Sequence, residues 1–303
     1  MFNKFIASIL PYFPKKFIWI FSKSYISGET IEDAMRVSKE LNAKKIKVTI
    51  DILGEFIETL EEAEANKKDS LELIDVITEN KIDGNVSIKP TSFGLLIDRD
   101  VCYNHIREIV AKAASYNQFV RIDMEDSPCT DMELELYKKL KVEFPNTVGL
   151  VLQAYLKRTL KDVENLMDIH EVAKPLNFRL CKGIYVEPEE ISYKKYEEIN
   201  AHYLEDLEFM FKNKIYVGIA THDKKLIAGA YDLLKKYDVP KNTYEFQMLY
   251  GVTPNLRDQV VADSHTMRVY VPFGKQWFGY STRRLKENPK MASDIIKAIF
   301  YKG

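Results

Sequence analysis

A chain of 303 residues, 46% of them hydrophobic, can bury a large core, either as two domains or as one of barrel size. A formal net charge of −1 with 29% charged residues leaves no global basic field, so nucleic acid is not an expected partner. Three cysteines (Cys102, Cys129, Cys181), odd in number and without a CxxC, argue against a disulfide framework and fit a reducing cytoplasm. The five histidines form no HExxH or Cys/His cluster, so no metal is expected. The twelve glycines form no GxGxxG, P-loop or GxSxG, and any nucleotide cofactor must be held without a Rossmann or Walker loop.

Residues 1–27 carry Lys4, Lys15, Lys16 and Lys23 and no acidic side chain. Their apolar runs, 5–10 and 17–21, are too short to span a bilayer and are broken by Pro11 and Pro14. Two readings stay open for this segment: a cationic, aromatic arm lying on an acidic membrane surface, or short helices capping the main domain. Ile31, Ala34, Val37 and Leu41 then follow helical spacing.

From there an alternation runs to the end of the chain. Strand-like runs fall at 46–53, 85–89, 119–124, 148–154, 178–183, 216–221, 244–249 and 266–271. Helical patterns separate them at 71–79, 100–116, 131–144, 160–172, 193–213, 224–237 and 255–264, and a last one spans 277–287. The acidic stretch 58–64 and the following Asn66-Lys-Lys-Asp69 read as a solvated helix or loop. Eight strand-then-helix units with short connections point to a parallel (β/α)8 TIM barrel, over an open doubly wound sheet that would have to forgo its glycine-rich first turn. The expected organisation is an N-terminal helical arm, 1–43, and one barrel domain, 44–303, with a C-terminal helix over its active end.

Alternation along the strands sorts side chains into two faces. Ile122 and Met124 share one face of Arg121-Ile-Asp-Met-Glu125, and Arg121, Asp123 and Glu125 share the other. If the apolar face meets the helices, the charges point into the barrel. The same split sends Asp51, Glu55, Lys89, Gln153, Arg179, Glu245, Gln247, Arg268 and Tyr270 inward. Unpaired burial of such groups costs several kcal/mol each, so they pair with one another, as a structural network, or with a bound ligand. Two loops join them at the same end: Gly183 with Lys182 could receive a phosphate, and Thr221-His-Asp223 precedes a helix start, where His222 either caps and packs or takes part in chemistry. Arg283 and Arg284 sit side by side near the C-terminus, with Glu287 in reach. They read as solvated charges on a helix or as a fork for a planar anion.

These residues together resemble proline dehydrogenases of the monofunctional bacterial type, FAD-dependent flavoenzymes on a (β/α)8 barrel. The resemblance runs from about Leu53 to Asn288 and rests on Arg121-Ile-Asp-Met-Glu-Asp-Ser127, Val151-Leu-Gln-Ala-Tyr155, Arg179-Leu-Cys-Lys-Gly183, Ala220-Thr-His222, Phe246-Gln-Met-Leu-Tyr-Gly251 and Tyr280-x-x-Arg-Arg-Leu-x-Glu-Asn288. It implies that Arg283 and Arg284 grip the carboxylate of L-proline, oriented by Glu287. It places Lys89 beside the substrate with Asp123 as its partner, and Tyr185, Tyr270 and Tyr280 as an aromatic wall. Met124, Gln153, Arg179, Lys182, Gly183, Ile184, Thr221 and His222 fall where such enzymes hold FAD, Arg179 near the reactive ring nitrogen. Asp123 and Arg179 are thus the catalytic candidates.

The implied reaction is oxidation of L-proline to Δ1-pyrroline-5-carboxylate, with electrons passed to a membrane quinone, by a cytoplasmic protein that touches the membrane through its N-terminal arm. Asp223 stands where the family commonly has asparagine, and Ile184 where it commonly has alanine; both departures fall at the implied FAD site. Tyr270, where relatives acting on 4-hydroxyproline tend to be smaller, argues for proline. A 4-hydroxyproline dehydrogenase and a non-catalytic flavin- or amino-acid-binding barrel are the alternatives.

Overall fold

The computed structural model describes Trp19, residues 22–54 and residues 57–281. Eight parallel strands close into a barrel in the order β1 to β8. They are β1 Lys47–Ile52, β2 Gly84–Ile88, β3 Val120–Ile122, β4 Val148–Gln153, β5 Asn177–Cys181, β6 Tyr216–Ala220, β7 Tyr244–Leu249 and β8 Met267–Phe273. β8 closes onto β1 in register, with Thr49 beside Tyr270 and Asp51 beside Pro272. The TIM-barrel expectation holds.

The helices between them are α1 Ile31–Asn42, α2 Leu60–Glu79, α3 Arg99–Ser115, α4 Ser127–Glu143, α5 Thr159–Asn165, α6 Tyr196–Lys212, α7 Lys224–Lys236 and α8 Pro254–Ala262. α1 starts where Thr30 accepts the Asp33 N–H, and buries Ala34, Val37 and Leu41. α2 begins eleven residues earlier than the apolar spacing indicates. Its start is fixed by a reciprocal cap: Thr59 accepts the Glu62 N–H and the Glu62 carboxylate accepts the Thr59 N–H. The acidic stretch is therefore the first turns of a long helix. α5 is shorter than the expected 160–172, and gives way to a 3-10 turn at Met167–Ile169.

Six of the turns that follow helices pass through a left-handed residue that is not glycine: Lys45, Lys81, Asn117, Lys214, Asp238 and Ser264. Each reverses the chain at the N-terminal end of the barrel and feeds the next strand.

Outward-facing Val48, Ile50, Val120, Leu150, Phe178 and Val217 are fully buried against the helices. That sheet–helix layer is the hydrophobic core, which leaves the barrel interior open to other chemistry.

Candidate active site

The inward residues converge as alternation predicts, and Asp123 is their hub. One carboxylate oxygen accepts from Ser87 Oγ (2.6 Å) and Arg179 Nη1 (2.8 Å); the other accepts from the Tyr270 hydroxyl (2.9 Å). Lys89 Nζ lies 3.8 Å from Asp123 and donates to both Asp51 oxygens at 3.0 Å. The Arg179 guanidinium stacks 5.1 Å from the Tyr270 ring centre, and its Nε donates to Gln247 Oε1 at 2.7 Å. Gln247 is itself oriented from below: its amide donates to Glu245 (2.7 Å), whose carboxylate grips Arg268 at 2.6 and 3.1 Å. A continuous polar ladder thus runs through the barrel from Arg268 to Lys89.

The electrostatics follow from this packing. Burial opposes ionisation of Asp123, but the Arg179 and Lys89 charges with the Ser87 and Tyr270 hydrogen bonds prevail and hold its pKa below the ordinary value. At Asp51 burial wins: with Lys89 pulling down and Asp123 pushing up, the carboxyl rises to about 6. Burial and the neighbouring Asp123 carboxylate push the Tyr270 phenol far up, so it stays a hydrogen-bond donor.

Above the ladder, at the C-terminal ends of the strands, a cavity of about 210 Å³ is lined by Lys89, Asp123, Met124, Gln153, Arg179, Ile184, Tyr185, Thr221, His222, Gln247, Met248, Tyr270 and Tyr280. Twelve of the side chains singled out in the sequence meet here. Met124 does so against its expected outward direction, because β3 ends at Ile122 and strict alternation ends with it. The next residue, Glu125, does not continue the inward row either. Its carboxylate turns to Thr91, accepting from the backbone N–H (2.9 Å) and the hydroxyl (2.5 Å), while Gln153 and Glu133 hold its main chain.

Tyr280 is carried by the helical turn that opens at Trp277, and this turn is anchored to the chain's N-terminal side. Trp277 Nε1 donates to Glu29 at 2.7 Å and Ser22 bonds Ser281 at 2.7 Å. Arg283, Arg284 and Glu287 lie outside the described residues, as does Glu55.

Two loop assignments gain definition. Lys182 lines no part of the cavity wall; its ammonium pairs with Asp223 at 2.6 Å and lies 4.4 Å from the Tyr196 ring centre. Gly183 has a φ of +104°, and a side chain there would run into the Tyr155 ring, so a turn and a close packing contact both require glycine. His222 accepts the Leu249 N–H through Nε2 (3.1 Å), which leaves its own proton on Nδ1 to meet Thr253 Oγ1 (2.8 Å). Both ring nitrogens thereby tie the β6 end to β7 and to the start of α8, in line with the packing reading. Ser87 was given no place in the inward set, although its signal was present, since it lies between outward Val86 and Ile88. Glu245 points inward, as alternation between Tyr244 and Phe246 predicts.

The fit of a flavin can be tested against this donor set. Arg179 Nη2 is buried and has no hydrogen-bond partner among the described residues, although the rest of the guanidinium is fixed. An orphaned cationic donor at a largely apolar cavity suits the electron-rich nitrogen and carbonyl edge of a flavin ring.

Fold and site define a (β/α)8 barrel whose charged interior supports a binding cavity at the C-terminal end, the arrangement of a barrel enzyme. The sequence matches the family described as proline dehydrogenase over residues 34–297, and the chain belongs to that family. It is 34% identical to proline dehydrogenase 1 of Bacillus subtilis, over 93% of this chain and 91% of that protein. The proline dehydrogenase of Deinococcus radiodurans is 33% identical over the same shares. Among solved structures, proline utilization A from Bdellovibrio bacteriovorus, inactivated by N-propargylglycine, superposes with a TM-score of 0.82 at 26% identity. That match covers 89% of this chain and 33% of the longer one.

Proposed function

We propose that this protein is an FAD-dependent dehydrogenase that oxidises L-proline to Δ1-pyrroline-5-carboxylate and delivers the electrons to a membrane quinone. The observation that carries the reading is the convergence, in a chain of this family, of Asp123, Lys89, Arg179 and Tyr270 beneath one cavity at the active end of the barrel. Met124, Gln153, Arg179, Thr221 and His222 would line the flavin, with Ile184 at the rim and Lys182 and Gly183 in the adjoining loop. FAD, when bound, supplies a hydride acceptor and an outlet for electrons.

The chain's own part is positioning. Asp123 fixes Tyr270 and Arg179 in one cluster, so the phenol ring and the guanidinium present a shaped wall to the substrate ring. Tyr185 and Tyr280 close that wall and exclude water. Lys89 places a positive charge beside the substrate, and Arg283 and Arg284, oriented by Glu287, are assigned the carboxylate. Residues 44–303 would form the catalytic barrel. Residues 1–43 would form the N-terminal part, in which α1 packs on the barrel and the cationic segment 1–27 is the arm through which a cytoplasmic protein meets the membrane. No helix among the described residues is long and apolar enough to cross one.

The test is an anaerobic titration. The purified protein should be yellow and should bleach with L-proline, and more readily than with 4-hydroxyproline. A colourless protein that FAD cannot reconstitute defeats the reading.

A further inference from the structure

At the opposite, N-terminal end of the barrel lies a second cavity, of about 600 Å³, between the ends of α2 and α3 and the first residues of the strands. Five charged side chains line it: Lys81, Asp83, Arg121, Glu245 and Arg268. Both carboxylates are already neutralised, Asp83 by Lys47 at 3.4 Å and Glu245 by Arg268 at 2.6 Å. The other two cations are not. Among the described residues neither Lys81 nor Arg121 has a carboxylate within ion-pair distance.

Arg121 is the more unusual. It is 2% exposed, and its terminal nitrogens are committed to uncharged oxygens: the Leu150 and Asn177 carbonyls at 3.1 and 3.0 Å and Asn177 Oδ1 at 2.5 Å. Its Nε has no partner among the described residues. Counting the inward charges of the barrel makes the imbalance plain. Among the described residues Asp51, Asp123 and Glu245 are matched by Lys89, Arg179 and Arg268, and Arg121 is the cation left over. Burial draws its pKa down, to about 9, so it remains a full cation at neutral pH.

A third unmet group faces the same space. Asn85 is 5% exposed, and Thr49 Oγ1 donates to its Oδ1 at 2.6 Å, which fixes the carboxamide. The NH2 at its other end has no acceptor among the described residues. A neutral ligand would leave both charges uncompensated, and a cation would be repelled. A small anion with oxygen acceptors answers the cations and the free amide donor together.

We propose that the N-terminal end of the barrel binds a small oxyanion, a carboxylate or a phosphate, with Lys81 and the Asn85 amide as direct donors and Arg121 as the buried counter-charge behind them. The site is separate from the cavity assigned to proline and stands or falls independently of it.

The experiment measures the melting temperature of the whole protein while sodium phosphate, or in a second arm sodium acetate, replaces chloride at fixed ionic strength. A saturable rise is expected, as a ligand that binds only the folded state requires, and the arm that shows it identifies the oxyanion. Lys81 is exposed, so Lys81→Glu should fold, and it should weaken the apparent affinity about tenfold or more through loss of one charge-assisted contact. Lys68→Glu, at an exposed lysine on α2, should leave the affinity unchanged. The proposal is overturned by a flat response in both arms, by a rise that never saturates, or by a saturable rise that Lys81→Glu leaves intact.

Discussion

The two faces of the barrel wall are built from opposite chemistry on the same eight strands. Outside, Val48, Val120, Leu150 and Phe178 are fully buried against helices, and apolar burial of this kind carries most of a domain's stability. Inside, at alternate positions, stand Asp51, Lys89, Asp123, Arg179, Gln247 and Tyr270, whose burial is tolerable only because each is paired. Placing the core between sheet and helices frees the interior to hold a charged constellation rigidly. The two faces should then respond differently to substitution, in stability on one side and in chemistry on the other.

The largest expected effect falls outside. Phe178 is fully buried and its ring centre lies 5.7 Å from that of Tyr137. Phe178→Ala should lower the unfolding free energy by about 3–5 kcal/mol in urea titrations, while the surviving folded protein binds proline as before. Inside, Asp123→Asn keeps the shape of the hub but removes the charge that anchors Arg179 and Lys89. Proline oxidation should fall about a hundredfold, the scale of losing one preorganised electrostatic contact, with a smaller loss of stability than Phe178→Ala gives. Equal destabilisation by the two would erase the distinction between the faces.

A pH experiment sharpens the same comparison. Asp51 has a folded-state pKa raised to about 6, against roughly 3.9 for a free aspartate. The folded state therefore holds the proton that the unfolded chain has released. The stabilising contribution is fully present below about pH 4 and is lost as pH rises through about 6. Subtracting the stability profile of Asp51→Asn from that of the wild type should isolate a decline confined to this window. A flat difference would mean that Lys89 holds Asp51 at an ordinary pKa.

Much of this was legible in the sequence, and its limits have physical causes. Eight strand–helix units and their alternation suffice for the barrel and for the inward set, because a period of two is a property of extended backbone alone. The rule stops where the strand stops. β3 ends at Ile122, and Glu125 is directed by Thr91, Gln153 and Glu133 from other segments, which no local pattern encodes. The ion pair between Lys182 and Asp223 joins two loops 41 residues apart and is invisible for the same reason. The early start of α2 is a different case. Thr59 and Glu62 are a local capping signal, which apolar spacing alone does not register.

The smallest effect concerns a single hydroxyl. Tyr270 donates to Asp123 at 2.9 Å while its ring carries the Arg179 guanidinium, so one residue combines a hydrogen bond to a carboxylate with an aromatic surface. Tyr270→Phe removes the first and keeps the second. Asp123 would still accept from Ser87 and Arg179, so its charge would remain satisfied, although with one donor fewer its pKa should rise. A hydrogen bond to a charged group contributes about 1.5 kcal/mol at the lower end of its range, or roughly tenfold in kcat/KM for proline. The loss should grow as pH falls, because the weakened Asp123 protonates sooner than in the wild type. A tenfold loss that is the same at every pH would locate the role of the hydroxyl in contact with substrate and not in holding Asp123 ionised.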